Sequence, residues 1–282
     1  MELDLATRTI ELPSGDFAIA ETGEGGRPLL LVHGFTGAKE DFADHVGWLA
    51  EEGWHVVAPD LRGHGRSPKP SDEASYSLAT FAADLVHLVD ALRWDRLVLL
   101  GHSMGGMIAQ VFAIAHPHRL EGLILMDTNH GTFDLEPEIA ALGAELARTE
   151  GMQGVKTVLD AMDDPLGSPA FDRLIAQRPG YQEFSDAKFL STSPAMYAAL
   201  LVELTSAANR LDGLRSLDVP TAVLVGELDK PFIEPSHELA AAISGATLTI
   251  LPEGGHSPQF ESPEAWADAM RTFLTGLSIY GE

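Results

Sequence analysis

RLVLLGHSMGGMIAQVFA (residues 96–113) carries the reading of the whole chain. Residues 97–100 form a short continuous apolar run, as a strand buried on both faces would. The run stops at Gly101-His102-Ser103-Met104-Gly105, and apolar residues at helical spacing follow at once. That is G-x-S-x-G between a strand and a helix, the setting of a nucleophile elbow. In so sharp a turn, side chains two residues either side of the serine would collide with it. Glycine at 101 and 105 avoids the collision. The turn lifts the Ser103 hydroxyl above the sheet edge, and the helix start supplies free N–H groups and positive potential. Ser103 is therefore the candidate nucleophile. The plainer alternative is a serine N-cap whose glycines serve packing.

Outward from this corner the pattern repeats. PLLLVHG, HVVAPDLRGHG, LEGLILMDT, PTAVLVGELD and ATLTILPEGGH are each short, apolar and stopped by a polar or glycine-rich turn. They read as strands of a mostly parallel sheet. Near the start, RTIEL and FAIAETG flank PSGD and read as a hairpin. Helical spacing appears in DFADHVGWLAEEG, LATFAADLVHLVDALRW, MGGMIAQVFAIAHPHRL and SHELAAAIS. It appears again in SPEAWADAMRTFLTGL, where Ser262 is placed as an N-cap and Pro263 at the first helical position. Alternating strands and helices give an α/β fold with right-handed crossovers. The alternation breaks over residues 130–217. There EPEIAALGAELARTEGMQGVKTVLDAM and SPAMYAALLVELTSAANRL read as helices with no convincing strand between them. A structureless loop of that length is rare in a compact domain. A helical cap over 130–217, inserted into a core of 1–129 and 218–282, is expected.

The 282 residues suffice for one large domain with an insertion, and 45% are hydrophobic, enough for a substantial core. With no cysteine, disulfides and thiolate metal sites are excluded. The 42 acidic and 18 basic residues give a net charge of −24. That balance argues against nucleic acid and against anionic lipid as partners. No apolar run approaches the roughly 18 residues of a membrane span. The start, MELDLATRTIELPSGD, lacks a basic segment followed by an apolar one. A soluble, cytoplasmic protein is expected, with oligomeric state not readable.

In open α/β sheets, ligands bind beyond the carboxyl ends of the strands. His33, Gly34 and Phe35 follow one strand; Asp60 and the loop LRGHGRS follow another. Asp127, Thr128 and Asn129, then Glu227 and Asp229, then His256 follow others. A serine, a carboxylate and a histidine thus gather on one edge, in chain order Ser103, Asp229, His256. His256 would take the serine proton and return it to the leaving group. Asp229 is the best candidate to hold its ring. Asp127 is the rival, and Glu227 reads as a turn residue or ion-pair partner. His33, His64 and His102 read as hydrogen-bonding residues of tight loops. His116 and His118, either side of Pro117, make a poor metal site. The oxyanion of an acyl intermediate needs two N–H donors. The Met104 amide follows the nucleophile, and the Phe35 amide fits the second place. Candidate substrate contacts are His102, Asn129 and, from the cap, Met152, Met196 and Tyr197. Met162, Phe171, Phe184, Phe189 and Leu201 are further candidates from the cap. Such a lining would suit an uncharged ester of small to medium size.

LLLVHGF, VVAPDLRGHGRS, LLGHSMGGMIAQ, LVGELD and GGHSPQFESPEAWADAMRTFL together resemble the α/β-hydrolase superfamily in its capped form. The resemblance implies an eight-stranded, mostly parallel sheet flanked by helices, a helical cap and a Ser-His-Asp triad. It also implies a carboxylesterase-like activity on small ester or lactone substrates, with no metal or organic cofactor. Epoxide hydrolases and haloalkane dehalogenases share the layout but carry an aspartate where Ser103 stands. C–C bond hydrolases of aromatic degradation usually show Asn before the serine, where this chain has His102. The menaquinone-pathway synthase resembles HGFTG, but has an arginine where Met107 and Ile108 stand. Cofactor-free haloperoxidases share SMGG. Enol-lactonases share most core motifs, and some non-enzymatic ligand sensors share the fold. An ester hydrolase is the leading expectation, with a lactonase or C–C hydrolase as the alternative.

Overall fold

A computed structural model describes residues 5–162 and 167–277. The outermost ends of the expected core, 1–4 and 278–282, and residues 163–166 of the expected cap lie outside them.

Eight strands form one sheet: β1 (Thr7–Leu12), β2 (Gly15–Thr22), β3 (Arg27–Val32), β4 (Trp54–Pro59), β5 (Leu97–His102), β6 (Leu120–Met126), β7 (Thr221–Gly226) and β8 (Thr247–Leu251). Their order is β1-β2-β4-β3-β5-β6-β7-β8. The expected hairpin is present, with Thr7 opposite Ala20 in an antiparallel β1–β2 pair. β2 also meets β4 antiparallel, and every later pair is parallel. The apolar runs explain the central strands, because β5 and β7 are buried along their whole length. Alternate side chains go to opposite faces. Leu30, Val32, Leu97, Leu99, Leu123 and Leu125 face one core, which includes Phe81, Leu85, Ile108, Phe112 and Leu239. Leu29, Leu31, Val98, Leu100, Ile124 and Met126 face the other, with Phe42, Leu49, Trp266 and Met270.

The helices supplying those residues are α1 (Ala43–Glu51), α2 (Leu78–Ala91) and α3 (Met104–Ala115) before the insertion. Within it come α4 (Pro137–Leu159), α5 (Pro169–Gln177), α6 (Tyr181–Ser191), α7 (Pro194–Leu204) and α8 (Leu211–Leu214). After it come α9 (Lys230–Ala242), α10 (Pro258–Glu261) and α11 (Pro263–Leu277). Ser262 does not cap α11 with its side chain: its hydroxyl donates to Pro252 O at 2.8 Å, while its carbonyl accepts the Trp266 N–H at 3.0 Å. The hydroxyl thus serves the neighbouring turn instead. Among the described residues no helix is long and apolar enough to cross a membrane.

Between β6 and β7 the described chain is helical, with no strand. α4 breaks at Gly151, whose φ of 65° only glycine adopts readily. Its two halves close on α7 through Ala144, Ala147, Met152, Val155, Tyr197 and Ala198. α5 and α6 are additions to the two helices expected here. α5 is capped by Ser168, and both pack through Leu174 and Tyr181 onto Phe260 of α10. Cationic residues of these helices reach acidic groups below: Lys188 to Asp41, Arg178 to Asp44 and Arg148 to Glu73.

Candidate active site

The corner at the end of β5 is tight. Ser103 has φ 55° and ψ −120°, a region that costs a non-glycine residue about 1–3 kcal/mol. Four hydrogen bonds hold it there. Its N–H donates to Met126 O at 2.9 Å. Its carbonyl accepts from Gly106 N at 2.9 Å, Met107 N at 3.2 Å and Thr128 Oγ1 at 2.6 Å. A Cβ on Gly101 would strike Gly105 O, and one on Gly105 would strike Val32 O and His33 O. Both glycines are thus required by backbone packed against backbone. The outcome is a hydroxyl standing clear of the sheet.

The turn between β8 and α10 brings His256 to it. Ser103 Oγ–H donates to His256 Nε2 at 3.0 Å, and His256 Nδ1–H donates to Asp229 Oδ2 at 2.8 Å. Asp229 is itself buried at the start of α9, where its N–H donates to Gly226 O at 3.1 Å. Phe232, one turn on, stacks on the His256 ring with centroids 4.8 Å apart. Of the other carboxylates considered, Glu227 accepts the Glu253 N–H at 3.0 Å, a turn role. Asp127 is fully buried beneath Asp229 and accepts the Gly226 N–H at 2.8 Å. The His256 ring hydrogen bond goes to Asp229, not to Asp127.

Two further residues fix the His256 peptide. His102 Nε2–H donates to His256 O at 2.6 Å. Burial, and then the neighbouring His256, pull the His102 ring down to about 4, so it is neutral and carries one proton. Glu261 accepts the N–H groups of Gly255 at 2.8 Å and Ser257 at 3.0 Å, the residues on either side of His256. Burial pushes the Glu261 carboxyl above its ordinary range, and these two amides draw it back. Glu261 escaped the sequence reading. Its only signal there is a carboxylate five residues after the histidine, which the structure places at the end of α10.

The turn after β3 is fixed from beneath. His33 Nδ1–H donates to Gly34 O at 2.8 Å, and Leu61 N–H donates to His33 Nε2 at 3.0 Å. Complete burial pulls His33 down to about 3, so it is a neutral strut. His64 Nε2–H donates to Phe35 O at 2.6 Å. The loop histidines thus hold tight turns. The Phe35 and Met104 amides, by contrast, meet no protein acceptor among the described residues. Two N–H donors are left over beside the Ser103 corner, one from each flanking turn.

The expected substrate contacts sit at different depths. Phe35 stacks on Tyr197 with centroids 4.9 Å apart, so α7 closes over this turn. Met152 lies in the same buried cluster, and Phe189 and Leu201 border it. Met196 is fully buried against Gly63. Asn129 has its polar groups engaged at the root of the insertion: its carbonyl accepts from Gln110 Nε2 at 3.0 Å, and its amide donates to Thr132 O at 2.9 Å. Phe171 and Phe184 pack with Tyr181 and Phe260, while Met162 is exposed. Among the described residues no group of three or more His, Asp or Glu is placed to hold a metal ion.

Comparison with known proteins follows the same lines. Residues 27–150 match a family model described as the alpha/beta hydrolase fold. A 2-hydroxymuconate semialdehyde hydrolase of Pseudomonas putida is 31% identical over 261 residues, 90% of this chain and 89% of that one. The enol-lactonase of Burkholderia xenovorans superposes with a TM-score of 0.83 at 26% identity, over 95% of this chain and all of that one. A thermophilic esterase of Thermogutta terrifontis does so with a TM-score of 0.82 at 30% identity, over 96% and 99%. In sequence and architecture alike, the chain belongs to the α/β-hydrolase family.

Proposed function

We propose that the protein is a serine hydrolase of carboxylic esters. The observation that carries this reading is the unbroken line Ser103 Oγ–H to His256 Nε2 to Asp229, at 3.0 and 2.8 Å. Ser103 attacks the acyl carbon as His256 takes its proton, and Asp229 stabilises the imidazolium that forms. The unspent amides of Phe35 and Met104 receive the oxyanion. His256 then protonates the leaving alcohol. Water enters, His256 takes one of its protons, and the acid leaves Ser103 free. Turnover falls on the acid side, because a protonated ring cannot accept from serine. Residues 130–217 act as the cap. Tyr197 and Met152 lie above the Phe35 turn, and their aromatic and thioether groups favour an uncharged acyl group of small to medium size.

Ser103→Ala tests the reading. It is expected to fold normally and to lose hydrolysis of a p-nitrophenyl ester by about 10⁴-fold or more. Retained hydrolysis by the pure variant would show that another residue does the chemistry.

A second reading has its own support in the likeness to the enol-lactonase. A lactone is a cyclic ester, and the same groups would open it. The 31% identical relative, a 2-hydroxymuconate semialdehyde hydrolase, lends weight to a C–C substrate in the same way. Ratios of kcat/KM on open esters, enol-lactones and vinylogous diketones separate the three.

A further inference from the structure

We propose that Asp127 holds a proton at neutral pH and donates it in a hydrogen bond to Asp229, making Asp127 a positioning residue that sets the basicity of His256. The case begins with burial. Asp127 is 0% exposed at the end of β6, with an unusual φ of 45° that directs its carboxyl under β7. One oxygen, Oδ1, accepts the Gly226 N–H at 2.8 Å. The other, Oδ2, is buried with no donor facing it among the described residues. The Asp229 residue lies beside it, since both bond to the Gly226 peptide: Asp127 accepts its N–H, and the Asp229 N–H donates to its carbonyl at 3.1 Å. Two ionised carboxylates have only acceptors to offer each other. One proton between them turns a repulsive contact into a hydrogen bond, as in other buried carboxyl pairs.

The charged surroundings decide which of the two keeps it. Asp229 faces the His256 N–H and supplies the charge that ring needs. Asp127 meets Asp229 on one side and feels Glu261 from α10, and both favour its neutral form. Burial acts in the same direction and is the largest cause, with only the Gly226 amide opposing. His102, on the other side of His256, is neutral and brings no charge. The proton therefore resides on Asp127, and Asp229 spends one lone pair on Asp127 and another on His256.

The consequence can be read in pH profiles. Removing the donor leaves the Asp229 charge undiluted, so it holds the His256 proton more strongly. The acid limb of kcat/KM then moves to higher pH. Asparagine keeps both bonds, with Oδ1 accepting from Gly226 and Nδ2–H donating to Asp229, so it restores the limb's position. An ionised Asp127 would behave oppositely, since Asp127→Asn would delete a negative charge and move the limb to lower pH.

The inference rests on Asp229 and His256 acting as proposed above, so one readout is independent of catalysis. Infrared difference spectra of wild type minus Asp127→Asn at pH 7.5 should show a protonated-carboxyl carbonyl band. Its absence would overturn the proposal. For p-nitrophenyl butyrate, Asp127→Ala should raise the acid limb by about half a unit or more, and Asp127→Asn should return it to within about 0.3 unit of wild type. A limb lowered in Asp127→Asn, or unmoved in Asp127→Ala, would also overturn it. If Asp127→Ala does not fold, the asparagine variant and the infrared band decide. A Ser103→Ala enzyme that stays active while the band is present would sink Ser103 as the nucleophile and leave the shared proton standing.

Discussion

Ser103 is held in a backbone region that serine avoids, and the surrounding residues explain how it stays there. His102, which holds the His256 carbonyl, is buried beside it, and its burial has a measurable cost. Its ring titrates at about 4 in the folded protein, against about 6.5 in an unfolded chain. Between those values the unfolded chain takes up a proton that the folded one refuses. The stability His102 contributes is therefore full above about 6.5 and is lost as pH falls toward 4. His102→Asn removes this titration. Its urea-unfolding deficit relative to wild type should shrink by roughly 1–2 kcal/mol between pH 7.5 and pH 5. A deficit that stays constant or widens would contradict a neutral, buried ring. Sequence placed Ser103, Asp229 and His256 at strand ends, the edge beyond which ligands of open α/β sheets bind. It ranked Asp229 first but left Asp127 as a rival, since both follow apolar strands. The β6–β7 register and the reach of the His256 turn separate them. Glu261 acts through two backbone amides, which leave no trace in side-chain spacing.

At the level of elements, the legible parts were those whose burial is nearly uniform. β3, β5, β6 and β7 read directly as apolar runs, and α2, α3 and α11 showed helical spacing because each covers one sheet face. α5 and α6 were not legible. Their apolar residues Leu174, Tyr181 and Phe184 meet Phe260, far along the chain, and Lys188 and Asp186 interrupt the pattern. These helices are also fastened by charge. Lys188 pairs with Asp41, whose side chain is 5% exposed, and its ammonium lies 4.8 Å from the Phe184 ring. Lys188→Met would leave Asp41 buried without its cation, a loss of about 3 kcal/mol or more for a buried pair. The expected result is faster limited proteolysis within 130–217, a raised KM and a thermal transition lowered by about 5 °C or more, because Asp41 belongs to the core. Proteolysis at the wild-type rate would show that apolar contacts alone hold α6.

The whole molecule carries a net charge of −24, and its long-range field repels anions. A carboxylate-bearing ester should therefore gain a few-fold in kcat/KM between about 20 and 500 mM salt, as the screening length falls. A neutral ester of the same size should hardly change. A fall with salt for the anionic ester would point to a local cationic attraction at the cap. The fold comes from the parts of the chain most constrained by packing, whereas the helical segment over 130–217 is less legible in the sequence. The most direct test of the central claim is intact-mass and peptide mapping of the protein quenched in acid during turnover of p-nitrophenyl butyrate. One butyryl group per chain, located on Ser103 and missing from Ser103→Ala, is the expected result. An acyl group on another residue, or continued turnover without a trapped acyl-enzyme in Ser103→Ala, would contradict it.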